Sequence, residues 1–386
     1  MLTLKNFNRT TPPSRTFTVS RTETSSPSSF NPVYSDDAVG LTAGSTDFDD
    51  FFWYSAVKLA SDGAESSIVN QNAGVLDITQ LWTLTSWDNV MIKFPVRWIK
   101  MSKSWSTITL SITDVTGKES EWYQYYAFQK TGDIEANASK TVATTPLYMW
   151  AYLSYTNWSK LQSWSWQTPQ GNYTMWNAIS YAWANWTWWT ITWWYQRQLI
   201  NAYYMMKYGN PNCQSVIGRW FVDANSAAHA TWWTNSYTNA SWWETTGKYQ
   251  CKLFWLEDWW WNQYQWVWWM FTDWSKNMYT ALHDFTANMN TGESQYKNAG
   301  AISNSWSYYC LSSILWTNKW MFWPTATVDN SNYDTYYCDF ANVSASRLAR
   351  AGGDWSYGSG AGAFLVYVGS SASNANTRFG ARLMFL

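Results

Sequence analysis

Charge is scarce in this chain. Asp, Glu, Lys and Arg make up 13% of its 386 residues, with 25 basic against 26 acidic side chains and a net charge of −1. That balance lacks the basic footprint of a nucleic-acid binder, so no nucleic-acid partner is expected. Histidine is scarcer still, with only His229 and His283. Asp284 follows His283 directly, and chain neighbours do not face one another as a catalytic triad requires. No G-x-S-x-G, H-E-x-x-H or phosphate-cradling loop occurs. The four cysteines, Cys213, Cys251, Cys310 and Cys338, form no C-x-x-C pair, which argues against a zinc site. No catalytic residue, cofactor or metal is therefore expected. No charged stretch followed by an apolar run opens the sequence, and no apolar run reaches about 18 residues. Neither a signal peptide nor a membrane span is expected, and the cysteines are read as thiols packed as small apolar side chains.

Glycine is also low, at 19 residues, while tryptophan reaches 35. Ordinary usage of glycine alone is roughly 7%. The tryptophans sit where turns need glycine: Ser-Trp-Asp at 86–88, Ser-Trp-Ser at 104–106, Asn-Trp-Ser at 157–159 and Asn-Ser-Trp-Ser at 304–307. Many such turns require positive φ, which glycine adopts without steric cost and tryptophan does not. The expectation is that many of these residues are glycine in the native protein, UGA being read as Gly in the source lineage and as Trp here. Several of them should then be exposed or have positive φ. The alternative is a protein truly rich in Trp, suited to stacking on sugars.

Along the chain, residues 1–45 are rich in Ser, Thr and Pro and read as a flexible tail. Residues 46–145 read as a small β-rich region, with period-two alternation in the runs from Asn89, Val96 and Ser106. A domain follows over 146–386. After Pro169 a helix is predicted over about 174–184, with Met175, Ala178, Ile179 and Ala182 on one face. A second is predicted over about 195–208, with Leu199, Tyr203 and Met206 aligned and Gly209-Asn210-Pro211 ending it. Taken alone, Glu257 and Asp258 have the look of a catalytic acid pair. Asn332, Tyr333, Asp334, Tyr336 and Tyr337 mix aromatic and small polar residues as a paratope does; a loop packing its tyrosines on the domain reads the same way.

The last forty residues, 347–386, carry the strongest pattern. They read R-x-x-R-x-G-G-x-W-x-x-G-x-x-A-G-x-F and close on a serine and then G-x-R-L. This resembles the variable region of diversity-generating retroelement proteins, binding proteins with a C-type-lectin fold that include phage tropism determinants and prophage tail receptor-binding proteins. The segments Leu147-Tyr-Met-Trp-Ala-Tyr and Leu256-Glu-Asp-Trp-Trp-Trp-Asn are similar to that family's first strand and central strand, with Trp150 and Trp261 in glycine places. The second resemblance implies that the Glu257 and Asp258 carboxylates hold loops through backbone N–H groups instead of acting as an acid pair.

The resemblance implies an α+β, C-type-lectin-like (formylglycine-generating-enzyme-like) domain with two helices and short antiparallel strands. It implies a hypervariable ligand-binding protein rather than an enzyme. The target would be an unknown cell-surface protein or glycan. The N-terminal region would attach the chain to a virion tail or cell surface, and phage relatives point to a homotrimer. Variable, ligand-binding positions would be Asp354, Ser356, Tyr357, Gly360, Leu365, Tyr367, Gly369, Ser370 and Arg378. Scaffold positions would be Arg350, Gly352, Gly353, Trp355, Gly362, Phe364, Gly380 and Arg382, the two arginines donating hydrogen bonds to carbonyls or carboxylates below. The triplets of calcium-dependent lectins, Glu-Pro-Asn, Gln-Pro-Asp and Trp-Asn-Asp, are absent. The alternatives are a bacterial adhesin of the same family and an oxidase of the formylglycine-generating type, which uses a reactive cysteine pair where only Cys338 lies nearby.

Overall fold

The computed structural model describes residues 14–23, 31–70, 75–76, 81, 84–129, 145–157, 159–223, 227–237, 241–242, 244–281, 296–302, 311–328 and 339–386. The architecture is mixed α+β, mostly strands with few helices. The tyrosine-rich stretch 332–337, His283, Cys310, Cys338 and the turns at Trp158 and 304–307 lie outside the described residues.

Both expected helices form. The first spans Met175–Trp183, capped by the Thr174 hydroxyl, which accepts from the Asn177 N–H at 3.1 Å. Its buried face is Met175, Ala178, Ile179 and Ala182, the four residues that the spacing singled out. The second spans Trp194–Tyr208 and ends where Gly209 turns left-handed at φ 66°, as a C-terminal glycine does. All fifteen of its residues are buried. Tyr203 stacks on Phe52 at 4.2 Å, which ties this helix to the short helix Asp47–Phe52.

Among the described residues three larger sheets and four two-stranded ones accompany these helices. A four-stranded sheet runs Val33–Asp36, Thr16–Thr22, Thr107–Thr113, Trp98–Ser104. Within the tail expected over 1–45, Thr16–Thr22 and Val33–Asp36 are strands of this sheet. Phe17 and Val19 are buried, Phe17 stacks on Phe51 at 4.0 Å, and the strand pairs with Thr107–Thr113 along its full length. Seven residues of alternating pattern bury enough apolar surface to order a segment whose average composition argues for disorder.

A six-stranded sheet runs Trp189–Ile191, Leu383–Phe385, Leu147–Trp150, Asp88–Phe94, Ser55–Ala60, Glu65–Ser67. It pairs Asp88–Phe94 of the 46–145 region with Leu147–Trp150, whereas Trp98–Ser104 and Thr107–Thr113 of the same region belong to the four-stranded sheet. The third sheet has seven strands. Six are in the order Lys297–Ala301, Asn277–Thr280, Tyr264–Thr272, Leu348–Ala351, Val366–Ser370, Ala341–Val343, and Phe379–Gly380 lies parallel beside Tyr264.

The backbone bears on the tryptophan anomaly. Of the nineteen non-glycine residues with positive φ among the described residues, ten are Trp, including Trp53, Trp105, Trp122, Trp188 and Trp261. Positive φ in a bulky residue is a steric outlier. Trp105 is 95% exposed in the turn between two strands, and Trp122 is exposed too. Trp87 is exposed without positive φ.

Candidate functional site

The terminal segment is fixed from beneath. Arg382 is fully buried and its guanidinium donates to the carbonyls of Trp150 at 2.6 Å, Glu257 at 2.5 Å and Asp258 at 3.0 Å. Glu257 lies in a two-stranded pair, Lys252–Leu253 with Leu256–Glu257, and not in a central strand; it holds a loop through backbone N–H groups as expected, whereas Asp258 is met by side chains. Glu257 accepts from the backbone N–H groups of Trp232 at 2.9 Å and Thr234 at 3.1 Å, and Asp258 accepts from the side chains of Gln250 and Asn262. Burial drives the Asp258 carboxyl well above the ordinary carboxylate range, helped by the neighbouring Glu257. Trp355 and Phe364 are buried anchors. Gly353 has φ 96°, and a side chain on Gly362 would strike the Asp339 carboxylate at 2.1 Å, so both places demand glycine. Gly352 also has positive φ, and Gly380 lies against the Gln263 side chain.

Arg350 departs from its expected scaffold role. It is only 3% exposed, yet it donates no hydrogen bond among the described residues; its Nε and Nη1 are buried without acceptors. The reason is the pleat. Arg350 pairs with Trp266 on one side and Tyr367 on the other, and Asn342 follows across the next strand. The side chain therefore stands with Tyr367 on one face of the sheet, while Arg382 serves the carbonyls. The guanidinium carbon lies 3.5 Å from the Phe379 ring centroid, 4.5 Å from Tyr264, 4.5 Å from Tyr367 and 5.6 Å from Trp266. Burial among rings pushes its pKa down to about 10.

Around this cation the tyrosines assemble. Tyr357 and Tyr367 both meet the buried Tyr264 ring edge-on, at 5.5 and 5.7 Å, and both pack on Phe340. Burial raises the Tyr264 and Tyr357 hydroxyls well above the usual phenol range. Arg378 is exposed; its Nη1 lies 3.7 Å from the Asp354 carboxylate, its guanidinium sits over Trp355, and its carbonyl accepts from the Tyr264 N–H at 2.9 Å.

Of the nine positions expected to be variable, Ser356, Tyr357, Tyr367, Gly369 and Arg378 reach the surface. The other four do not. Asp354 is buried and accepts from the Ser356 N–H and hydroxyl, holding the turn. Leu365 is fully buried, close to Gly353. Ser370 points inward with Val366 and Val368, following the alternation of the Val366–Ser370 strand. Gly360 is buried where its carbonyl receives the Phe340 N–H. Sequence reasoning missed Tyr264, Phe340, Asn342 and Phe379. Strand parity alone could have found Ser370, because Val366 and Val368 already mark the inward face.

His229 packs its ring on Phe221 and Trp233. No group of three or more His, Cys, Asp or Glu side chains gathers as a metal site among the described residues, and no helix there is long and apolar enough to cross a membrane. No protein-family model and no curated protein matches the chain in sequence.

Proposed function

We propose that this chain is a hypervariable binding protein whose terminal segment, 347–386, is diversified by a retroelement, and that 146–386 is a C-type-lectin-like domain. On this reading it acts by binding, without chemistry, as a phage or prophage tail receptor-binding protein. The observation that carries the proposal is the grouping of Tyr357, Tyr367 and Arg378. Tyr357 and Tyr367 reach the surface around the buried Tyr264 ring, and Arg378, whose carbonyl accepts the Tyr264 N–H, is exposed with its guanidinium over Trp355. Aromatic and arginine side chains on an ordered surface give large contact area at low entropic cost. The support below them is independent of their identity, since Arg382 bonds only to backbone carbonyls and Gln265.

The two helices after the strand Leu147–Trp150, and the closure of that strand on Leu383–Phe385, are consistent with the proposed domain. The test is to sequence the DNA flanking the gene. A reverse transcriptase gene and a second copy of the 347–386 coding segment, differing only where the copy has adenines, are expected. Flanks without both would overturn the proposal. Tail genes beside them assign the protein to a virion, and secretion genes to a cell-surface adhesin.

A further inference from the structure

We propose that the Arg350 face receives the carboxylate of an acidic sugar, with Arg350 as the anion-binding group and Tyr357 and Tyr367 as the ring walls. This rests on the reading of the terminal segment as a recognition surface and names the ligand class of that same site. Three observations support it.

The first is the state of the cation. Arg350 is 3% exposed, and neither Nε nor Nη1 meets an acceptor. Buried donors are nearly always paired, and ring faces attract a cation without accepting its N–H bonds in the way oxygen does. Arg382, in the same segment, donates to three carbonyls, whereas Arg350, like the buried Arg197, leaves two nitrogens without an acceptor.

The second is a polar neighbour. Asn342 lies in register with Tyr367, is 8% exposed, and its Oδ1 also meets no donor. An unpaired cation and an unpaired amide oxygen on one face match a ligand carrying both an anion and hydroxyl donors. A sugar acid has both within one ring, together with an apolar face that suits the neighbouring tyrosine rings.

The third is access. Tyr357 and Tyr367 are half-buried, and the Tyr367 ring fills the space a side chain on Gly369 would need, 2.5 Å from the ideal Cβ position. That ring therefore stands across a glycine, and the proposal requires it to turn outward for the ligand to reach Arg350 beside the Phe379 and Tyr264 rings. A planar carboxylate then meets a planar guanidinium, the pairing for which arginine is best shaped, and the sugar's apolar face stacks on the tyrosines.

The experiment titrates the full chain with glucuronate and N-acetylneuraminate, and with glucose and N-acetylglucosamine as neutral counterparts, followed by ligand-observed NMR. Acidic sugars should bind at least 10-fold more tightly than neutral ones. R350Q should abolish that preference while leaving the melting temperature no lower. R350K, which keeps the charge but loses the fork, should fall between, and it carries the test if R350Q does not fold. Equal binding of acidic and neutral sugars, or an unchanged preference in R350Q, overturns the proposal. Binding of tetraglutamate with no binding of the sugar acids overturns it too and moves the anion to a protein target. Its failure is separable from that of the recognition reading, because the adenine-marked repeat is read from DNA and needs no ligand.

Discussion

The Arg350 guanidinium carbon lies 3.5 Å from the centroid of the Phe379 ring, while Arg382, three residues beyond Phe379, donates to three backbone carbonyls. Two arginines of one short segment thus hold their charge in opposite ways. Removing Arg382 strands the carbonyls of Trp150, Glu257 and Asp258 inside the protein, so Arg382→Met should cost about 3 kcal/mol or more. Arg350→Met removes a cation that has no hydrogen bond and leaves an apolar chain against the same rings, so its effect should stay within about 1 kcal/mol. Urea denaturation of the two variants measures the difference. Equal losses would mean that both arginines are structural.

The nine positions expected to vary should not tolerate change equally. Leu365 is fully buried, and Leu365→Ala should cost about 2–5 kcal/mol. Arg378 is half exposed, its Nη1 lies a long 3.7 Å from the carboxylate of the buried Asp354, and that carboxylate keeps the Ser356 N–H and hydroxyl without it. Arg378→Ala should therefore change stability by less than about 0.5 kcal/mol. Thermal melts of the two variants decide this; a similar loss at both positions would remove the distinction between core and display within the segment.

Asp339 predicts a pH effect of definite sign. Its carboxyl accepts the Phe364 N–H at 2.6 Å, and its Oδ1 lies 3.9 Å from the Cys213 thiol. Burial raises its pKa well above the ordinary value, more than the Phe364 N–H and the Arg197 cation lower it. The folded-state pKa thus exceeds the unfolded one, near 3.9. The stabilising share is fully present below that unfolded value and is lost as pH rises through the folded value. Asp339→Asn keeps the acceptor and cannot ionise. Melts of both proteins from pH 4 to pH 8 should show the wild type losing stability relative to the variant. A relative gain would reverse the sign and refute the argument.

How much of this was legible follows from the range of the interactions. The helix Met175–Trp183 was legible because its buried face repeats within one segment, and the end of Trp194–Tyr208 because Gly209 and Pro211 act locally. The loop-holding role of Glu257 was implied by the resemblance of the Leu256-Glu-Asp segment, and its bonds to the Trp232 and Thr234 N–H groups agree with it. The face taken by Arg350 was not. It depends on pairing with Trp266 and Tyr367, and the partner strand carries a register shift between Val267 and Phe271 that no local pattern announces. Leu365 misled for a related reason. Its variable role was implied by the resemblance alone, and it lies just before the strand that begins at Val366, where strand alternation gives no guide to its face.

The reading of turn tryptophans as native glycines makes the last prediction. Trp105 joins the strands Trp98–Ser104 and Thr107–Thr113 with φ 53° and a side chain 95% exposed, so the ring has almost nothing to pack on. A residue with a Cβ in the left-handed region costs roughly 1–2 kcal/mol, which glycine does not incur. Trp105→Gly should therefore stabilise the protein by about 1 kcal/mol and raise its melting temperature. Trp122, at φ 69° and 70% exposed, should behave alike, and the two effects should add where the sites share no partner. Peptide mass spectrometry of the protein from its own source then decides what stands there. Glycine at 105 is expected. Tryptophan at 105 in the native peptide would end the recoding argument, and a loss of stability in Trp105→Gly would show that the ring, exposed as it is, does something the turn needs.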